Sequence, residues 1–147
     1  MIVQDAMSRD VITVSPETTI KEAARLMADA DIGALPVAAG DRLAGMVTDR
    51  DIAIRAIGVG KGPDCTVGEV MTHDVLYCHE DEDLGHISQN MAENQVRRLP
   101  VVDVDKRLVG IISLADIADA RAAEAGEALE GITRPGGERS QSIEGRA

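Results

Sequence analysis

The chain repeats itself, and that constrains its fold more than any other feature. Shifting the numbering by 64 lays Val3 on Val67, Asp5 on Glu69, Met7 on Met71, Asp10 on Asp74 and Val11 on Val75. The same shift lays Met27 on Met91, Leu35 on Leu99, Pro36 on Pro100 and Val37 on Val101. One residue inserted near Lys106 raises the shift to 65, and then Arg42, Leu43, Gly45 and Asp51-Ile52-Ala53 match Arg107, Leu108, Gly110 and Asp116-Ile117-Ala118. Apolar, turn and polar positions agree together, so two copies of one unit fill most of the 147 residues. That length fits one domain, or two small repeats sharing a core.

Each copy reads in the same order. Val11 to Val14 and Val75 to Cys78 are short β-branched or apolar runs that predict strands. Ile20, Ala23, Ala24 and Met27 follow at helical spacing, with Thr19 and Glu22 as a capping box. In the second copy Leu84, Ile87 and Met91 share a face behind Asp83 as cap, weakened by Gly85. Two strands come next, Leu35 to Val37 and Leu43 to Val47, turning at Gly40-Asp41; their counterparts are Leu99 to Val102 and Leu108 to Ile112, turning at Asp103 to Lys106. A second helix opens at Thr48 and again at Ser113. The expected fold is α/β, two β-α-β-β-α repeats. Residues 1–60 are the first repeat, and 61–130 the second, with its Gly58 to Pro63 linker and an extended C-terminal helix. Residues 131–147 form a Gly-, Ser- and charge-rich tail in which Ile143-Glu144-Gly145-Arg146 has the form of a protease-cleavage tag; no function is assigned to it.

Charge and composition exclude several classes. Twenty-six acidic residues against fifteen Lys and Arg give a formal charge of −11, which argues against a duplex-DNA binder and for no nucleic-acid partner. With one Tyr and neither Phe nor Trp, the core must be built from Val, Ile, Leu, Ala and Met. No apolar run approaches the roughly 18 residues of a membrane span, and the start lacks a basic-then-apolar signal pattern. Cys65 and Cys78 are too few for a disulfide framework. The expectation is a cytoplasmic protein without a membrane partner.

The repeat resembles a tandem pair of cystathionine-β-synthase (CBS) domains over roughly residues 2 to 122. The likeness is carried by Met7-Ser8-Arg9-Asp10-Val11, Gly33-Ala34-Leu35-Pro36-Val37 and Gly45 to Ile52 in the first copy. In the second it is carried by Met71 to Val75, Arg97-Arg98-Leu99-Pro100-Val101 and Gly110 to Ile117. The chain is also similar to small stand-alone bacterial CBS-pair proteins. The resemblance implies repeats related by a pseudo-twofold axis, dimerisation into a flat disc, and clefts that bind adenosine-containing ligands. It implies no required cofactor and a ligand such as AMP, ATP or another adenosine derivative.

Two readings of the Gly-x-x-Thr/Ser-x-x-Asp motif stand side by side. A Thr or Ser followed three residues on by an acid is a helix-capping pair, and that role alone accounts for Thr48 with Asp51 and Ser113 with Asp116. The same helix start also suits an anion, because its free N–H groups and dipole point at whatever precedes the first turn. The family resemblance assigns Thr48 and Ser113 to phosphate and Asp51 and Asp116 to ribose hydroxyls. Arg97 and Arg98 stand where the first copy has Gly33 and Ala34. This stretch resembles nucleotide-binding repeats of the AMP-activated kinase regulatory subunit, where basic residues face phosphates; a guanidinium binds phosphate as a planar fork. The alternative is that the paired arginines bridge local acids. Arg50 and Arg55 are the cations available to the first cleft. Adenine contacts fall to Val11, Ile12, Ala34 and Pro36 in one site, and to Val75, Tyr77 and Pro100 in the other.

No catalytic constellation emerges, so the chain reads as a non-enzymatic module. His73, Cys78, His79 and His86 are of ligand type, but their spacing matches no metal motif and their counterparts Arg9, Val14, Ser15 and Glu22 have no metal character. The Gly-rich linker lacks a P-loop ending. The leading expectation is a regulatory, adenosine-sensing homodimer. Its rivals are a scaffold with empty clefts and a zinc- or redox-responsive switch. The sequence names no partner protein.

Overall fold

Each copy buries the same set of positions, but the segment that opens each copy belongs to the core of the other. The structure, a computed structural model, describes residues 1–129, with side chains as far as residue 123. It falls into two compact units. The first unit holds Asp10–Leu76 and Val102–Leu108; the second holds Met1–Arg9, Tyr77–Val101 and the chain from Val109. The tail beyond residue 130 lies outside the described residues.

In the first unit the core is Val14, Ile20, Ala23, Met27, Leu35, Val37, Val47, Ala56, Val67, Val70 and Met71. In the second it is Val3, Cys78, Leu84, Ile87, Met91, Leu99, Val101, Ile112 and Ile117. The two lists correspond position by position: Val14 with Cys78, Ile20 with Leu84, Met27 with Met91, Val47 with Ile112. The opening segments cross over: Val67, Val70 and Met71 join the first core, and their counterparts Val3, Ala6 and Met7 lie in or against the second. Val67, from the start of the second copy, is fully buried in the first unit, and its equivalent Val3 is fully buried in the second. The compact units therefore cut across a boundary drawn at residue 60.

Local chemistry explains the elements. Helix α1 (Ile20–Ala30) starts at Thr19, whose Oγ1 accepts the Glu22 N–H at 3.2 Å while Glu22 Oε1 accepts the Thr19 N–H at 3.2 Å. Ile20, Ala23 and Met27 are its buried face. It stops at Asp31, in the left-handed conformation with φ 57°. Strand β1 (Ala34–Ala39) turns at Gly40, with φ 68°, into strand β2 (Arg42–Thr48). After Thr48 a short helix α2 (Asp49–Asp51) passes into a π-helical turn, Ile52–Ala56, and a 3-10 turn, Ile57–Val59. Helix α3 (Val67–Val70), which the sequence reading left out, follows Thr66 and Glu69; Glu69 Oε2 accepts the Thr66 N–H at 3.0 Å.

The second copy repeats the plan with strand β3 (Cys78–His79), helix α4 (Leu84–Glu93), strand β4 (Arg98–Val102), strand β5 (Leu108–Ser113) and helix α5 (Leu114–Leu129). The three strands form one sheet in that order. Asp83 caps α4 as expected, its Oδ2 accepting the His86 N–H at 3.1 Å, and Gly85 does not interrupt the helix. Gln95, with φ 56°, repeats the role of Asp31.

The first strand of each copy is shorter than expected. Val11 to Val14 pairs at one residue only: the Val14 N–H donates to the Pro36 carbonyl at 3.2 Å and its carbonyl accepts from Ala38 at 2.8 Å. A turn in which Ser15 N–H donates to Thr18 Oγ1 at 3.1 Å then diverts the chain. In the second copy a tight bend, with Val75 N–H on the His73 carbonyl at 3.2 Å, delays pairing until Cys78–His79.

The motif glycines answer a close backbone approach. In the first unit Thr72 pairs with Met46, and a Cβ on Gly45 would collide with the Thr72 carbonyl oxygen. In the second unit Ser8 pairs with Ile111, and a Cβ on Gly110 would stand 2.8 Å from the Ser8 oxygen and 2.6 Å from Met7 Sδ. Glycine at these positions lets a crossing segment join the sheet edge.

Candidate functional site

The two helix starts that follow β2 and β5 share one geometry. Thr48 Oγ1 accepts the Asp51 N–H at 3.0 Å, and Asp51 Oδ2 accepts the Thr48 N–H at 3.0 Å. Ser113 Oγ accepts the Asp116 N–H at 3.1 Å, and Asp116 Oδ2 accepts the Ser113 N–H at 2.9 Å. The capping reading is thus realised at both places. It does not use up the groups: each hydroxyl accepts in this arrangement and still carries a proton to donate, and each carboxylate turns only Oδ2 to the cap. In the first unit Asp51 Oδ1 lies 3.9 Å from Arg55 Nε.

Strand register brings the other candidates to the same ends. In the first unit Ala34 is the direct partner of Thr48, and the Asp49 N–H donates to the Gly33 carbonyl at 3.0 Å. In the second the Leu114 N–H donates to the Arg97 carbonyl at 3.0 Å, a register that sets Arg98 opposite Ser113. Arg97 is exposed and Arg98 is half-buried. The Arg98 side chain makes no hydrogen bond or ion pair with any described residue, so the alternative in which it bridges local acids is not realised among the described residues.

The remaining candidates divide unevenly. Val11 is half-buried and Ile12 is exposed, ahead of the single bridge at Val14. Pro36 and Pro100 are buried, each between two core residues of its strand, Leu35 and Val37 or Leu99 and Val101. Val75 is half-buried and is grouped with the first unit, whereas Tyr77 is exposed in the second and meets His79 edge-on, ring centres 5.8 Å apart. Arg50 is exposed. Arg55 donates from Nη1 to the carbonyls of Val70 and Met71 at 3.3 and 3.4 Å, which ties it to α3. A groove of about 510 Å³ beside α1, bordered by Thr13, Val14, Lys21, Arg25 and Leu26 among others, contains none of the residues predicted from the motifs.

Sequence reasoning missed Asp49. Its carboxylate lies over Gly33, with Oδ2 only 2.9 Å from where a Cβ would stand. The clue was available in the sequence: where the first copy has Gly33 and Asp49, the second has Arg97 and Leu114.

The thiol and imidazole groups do not assemble. Burial pushes the Cys78 thiol up to about 12, with the Glu82 carboxylate adding to the shift. His79 Nδ1 lies 3.6 Å from Glu82 Oε1. Among the described residues no group of three or more His, Cys, Asp or Glu side chains is arranged to hold a metal ion. No helix of the described residues is long and apolar enough to cross a membrane.

Comparison with known proteins places this geometry in a family. The model of the CBS domain matches twice, over residues 3–57 and 67–123. The chain is 46% identical over 116 residues to the CBS domain-containing protein YhcV of Bacillus subtilis, covering 79% of this chain and 82% of that one. It is 41% identical over 117 residues to hypoxic response protein 1 of Mycobacterium tuberculosis, covering 78% and 81%. A crystal structure of Hypoxic Response Protein I with two coordinated zinc ions superposes with a TM-score of 0.74 at 39% identity, covering 82% of this chain and 98% of that one. The CBS domain pair of protein MJ0100, in complex with 5′-methylthioadenosine and S-adenosyl-L-methionine, superposes with a TM-score of 0.71 at 32% identity, covering 84% and 98%. CBSX2 in complex with AMP superposes with a TM-score of 0.74 at 27% identity, covering 84% and 97%.

Proposed function

Because this chain belongs to the CBS-domain family, we propose that it is a regulatory module which binds an adenosine nucleotide and has no catalytic chemistry of its own. The observation that carries the reading is Arg98: a half-buried residue whose side chain has no hydrogen bond or ion pair with a described residue, set opposite Ser113, which itself caps the turn holding Asp116. An arginine side chain without a protein partner presents a planar fork that suits a phosphate. Ser113 donates its hydroxyl proton to the same phosphate, and the α5 N–H groups face it. Asp116 Oδ1 accepts from the ribose hydroxyls while Oδ2 keeps the cap. Arg97, Tyr77 and Pro100 border the cleft. The MJ0100 and CBSX2 structures support the class, since both are complexes with adenosine compounds.

The first unit supplies a second cleft from Thr48, Asp51, Ala34, Pro36, Val11, Ile12 and Arg50. The functional particle is a homodimer located in the cytoplasm. Ile54, Ile57 and Val59, which are 50%, 61% and 65% exposed, form the apolar surface that a second copy covers. Regulation follows if the ligand binds two arrangements of that dimer unequally.

Calorimetric titration of AMP into the full chain tests the reading. Saturable binding lost in both Asp116→Ala and Arg98→Ala is the expected result. Unchanged binding in both variants moves the site elsewhere, and no binding at millimolar AMP, ATP and S-adenosylmethionine favours a scaffold with empty clefts.

A further inference from the structure

The two clefts differ in charge at equivalent positions, Asp49 and Ala34 in the first against Leu114 and Arg98 in the second, and from this we infer that they take different ligands: the second unit an adenosine bearing phosphate, the first an adenosine whose 5′ substituent carries no negative charge. This inference rests on the adenosine reading above and adds the ligand class of each cleft.

The equivalence is fixed by the backbone. Asp49 N–H donates to the Gly33 carbonyl at 3.0 Å, and Leu114 N–H donates to the Arg97 carbonyl at 3.0 Å. Each pair closes the strand ends just before the capping hydroxyl, so residues 33 and 97, and 49 and 114, are structural counterparts. The side chains differ in kind. In the first unit the Asp49 carboxylate covers Gly33, its Oδ2, Cγ and Oδ1 within 2.9, 3.3 and 3.4 Å of a Cβ position there. A side chain at residue 33 would require the Asp49 carboxylate to swing away. In the second unit residue 114 is an apolar leucine, so no carboxylate stands at that place, and Arg98 occupies the strand position of Ala34.

The surrounding charges do not cancel the difference. The first cleft carries Asp49, Asp51 and Arg50, while Arg55 is held by the carbonyls of Val70 and Met71 and by Asp51. At the second, Arg98 and Asp116 bring one charge of each sign and residue 114 brings none. A phosphate brought to the first cleft meets the Asp49 carboxylate, where the second has Leu114 and, on the neighbouring strand, Arg98. Ribose recognition does not share this bias, because Thr48 with Asp51 and Ser113 with Asp116 have the same geometry. Both clefts keep the means to hold a nucleoside, and only one keeps the means to hold its phosphate.

The test uses AMP and adenosine as probes on the full chain, with Asp51→Ala and Asp116→Ala each removing one cleft so that the other is read alone. The first cleft should prefer adenosine to AMP by about tenfold, the effect of one carboxylate on a doubly charged phosphate several ångströms away in a water-like dielectric. The second cleft should prefer AMP. Asp49→Asn keeps the shape of the side chain and should remove that preference in the first cleft. Equal affinities for AMP in the two clefts overturn the inference and leave the adenosine reading standing. So does an unchanged AMP-to-adenosine ratio in Asp49→Asn, or a first cleft that takes neither compound while the second takes AMP. Failure of both compounds to bind either cleft overturns the adenosine reading itself.

Discussion

Ser113 and Asp116 hold one another through reciprocal hydrogen bonds of 2.9 and 3.1 Å, and neither bond uses Asp116 Oδ1. One pair of residues can therefore start a helix and receive a ligand at the same time. The two functions separate by substitution. Asp116→Asn retains an oxygen for the Ser113 N–H, whereas Asp116→Ala removes it. Urea unfolding without ligand should show Asp116→Ala destabilised by about 1 kcal/mol, the usual worth of a cap. Asp116→Asn should lie within half of that, yet bind AMP more weakly than the wild type.

Val3 tests the exchange of opening segments. It is fully buried in the second unit, among Leu84, Ile87 and Ile112. Val3→Ala should cost about 2 kcal/mol of stability, a value typical of a buried branched side chain cut to methyl. Hydrogen exchange should show the loss in β4 and β5 rather than in β1 and β2. A loss confined to the first unit would contradict the assignment of Met1–Arg9 to the second.

Gly110→Ala should be more damaging than its small size suggests. The added methyl meets the Ser8 carbonyl oxygen, and backbone cannot swing aside as a side chain can. Overpacking of this kind costs on the order of 1–3 kcal/mol, and the Ser8–Ile111 bridge should open first. Thermal unfolding measures the cost, and exchange of the Ile111 amide locates it.

Cys78 should be inert while the chain is folded. Its thiol is raised to about 12 by burial, so at pH 8 the thiolate needed for reaction is scarce. A chromogenic disulfide should label Cys78 in urea but not in buffer. A raised pKa stabilises the fold fully below the ordinary thiol value and is lost as pH climbs toward 12, so stability should fall across that alkaline range. Cys78→Val, which copies Val14, should abolish that fall while leaving neutral-pH stability within about 1.5 kcal/mol.

Acid should loosen the turn between β4 and β5. Asp103 Oδ1 accepts the N–H groups of Asp105 and Arg107, both at 2.9 Å. These bonds, the Arg107 N–H foremost, hold its carboxyl below the usual carboxylate range. A lowered pKa gives stability that is complete above about pH 4 and disappears as the pH falls through the folded value. Asp103→Ala should remove this part of the acid dependence, read as the slope of unfolding free energy against pH between about 2 and 5.

The repeat made the order of elements legible, because identities at Leu35 and Leu99, or Gly45 and Gly110, fix a common plan without knowledge of contacts. Capping by Thr19, Thr48, Asp83 and Ser113 was legible for the same reason: a cap is set by residues three apart. The crossover of Val3 and Val67 was not, since a repeat tells which positions are equivalent and not which copy completes which core. The strands at Val11 and Val75 were overestimated because β-branched runs report a preference for extended backbone, while pairing depends on a neighbour that only Val14 and Cys78 find. Site residues were legible as types. The contact between Asp49 and Gly33, which distinguishes the clefts, appears only when the two strand ends are brought together.

The central claim is that the second unit holds an adenosine nucleotide on Arg98, Ser113 and Asp116, and thermal unfolding tests it most directly. A ligand that binds only the folded chain adds roughly 2.7 kcal/mol at 100 times its dissociation constant, enough to raise the midpoint by several degrees. The account predicts such a rise with AMP, a smaller one or none with GMP, and loss of the AMP effect in Arg98→Ala. A midpoint that AMP leaves unmoved at millimolar concentration, or raises equally in Arg98→Ala, would contradict it.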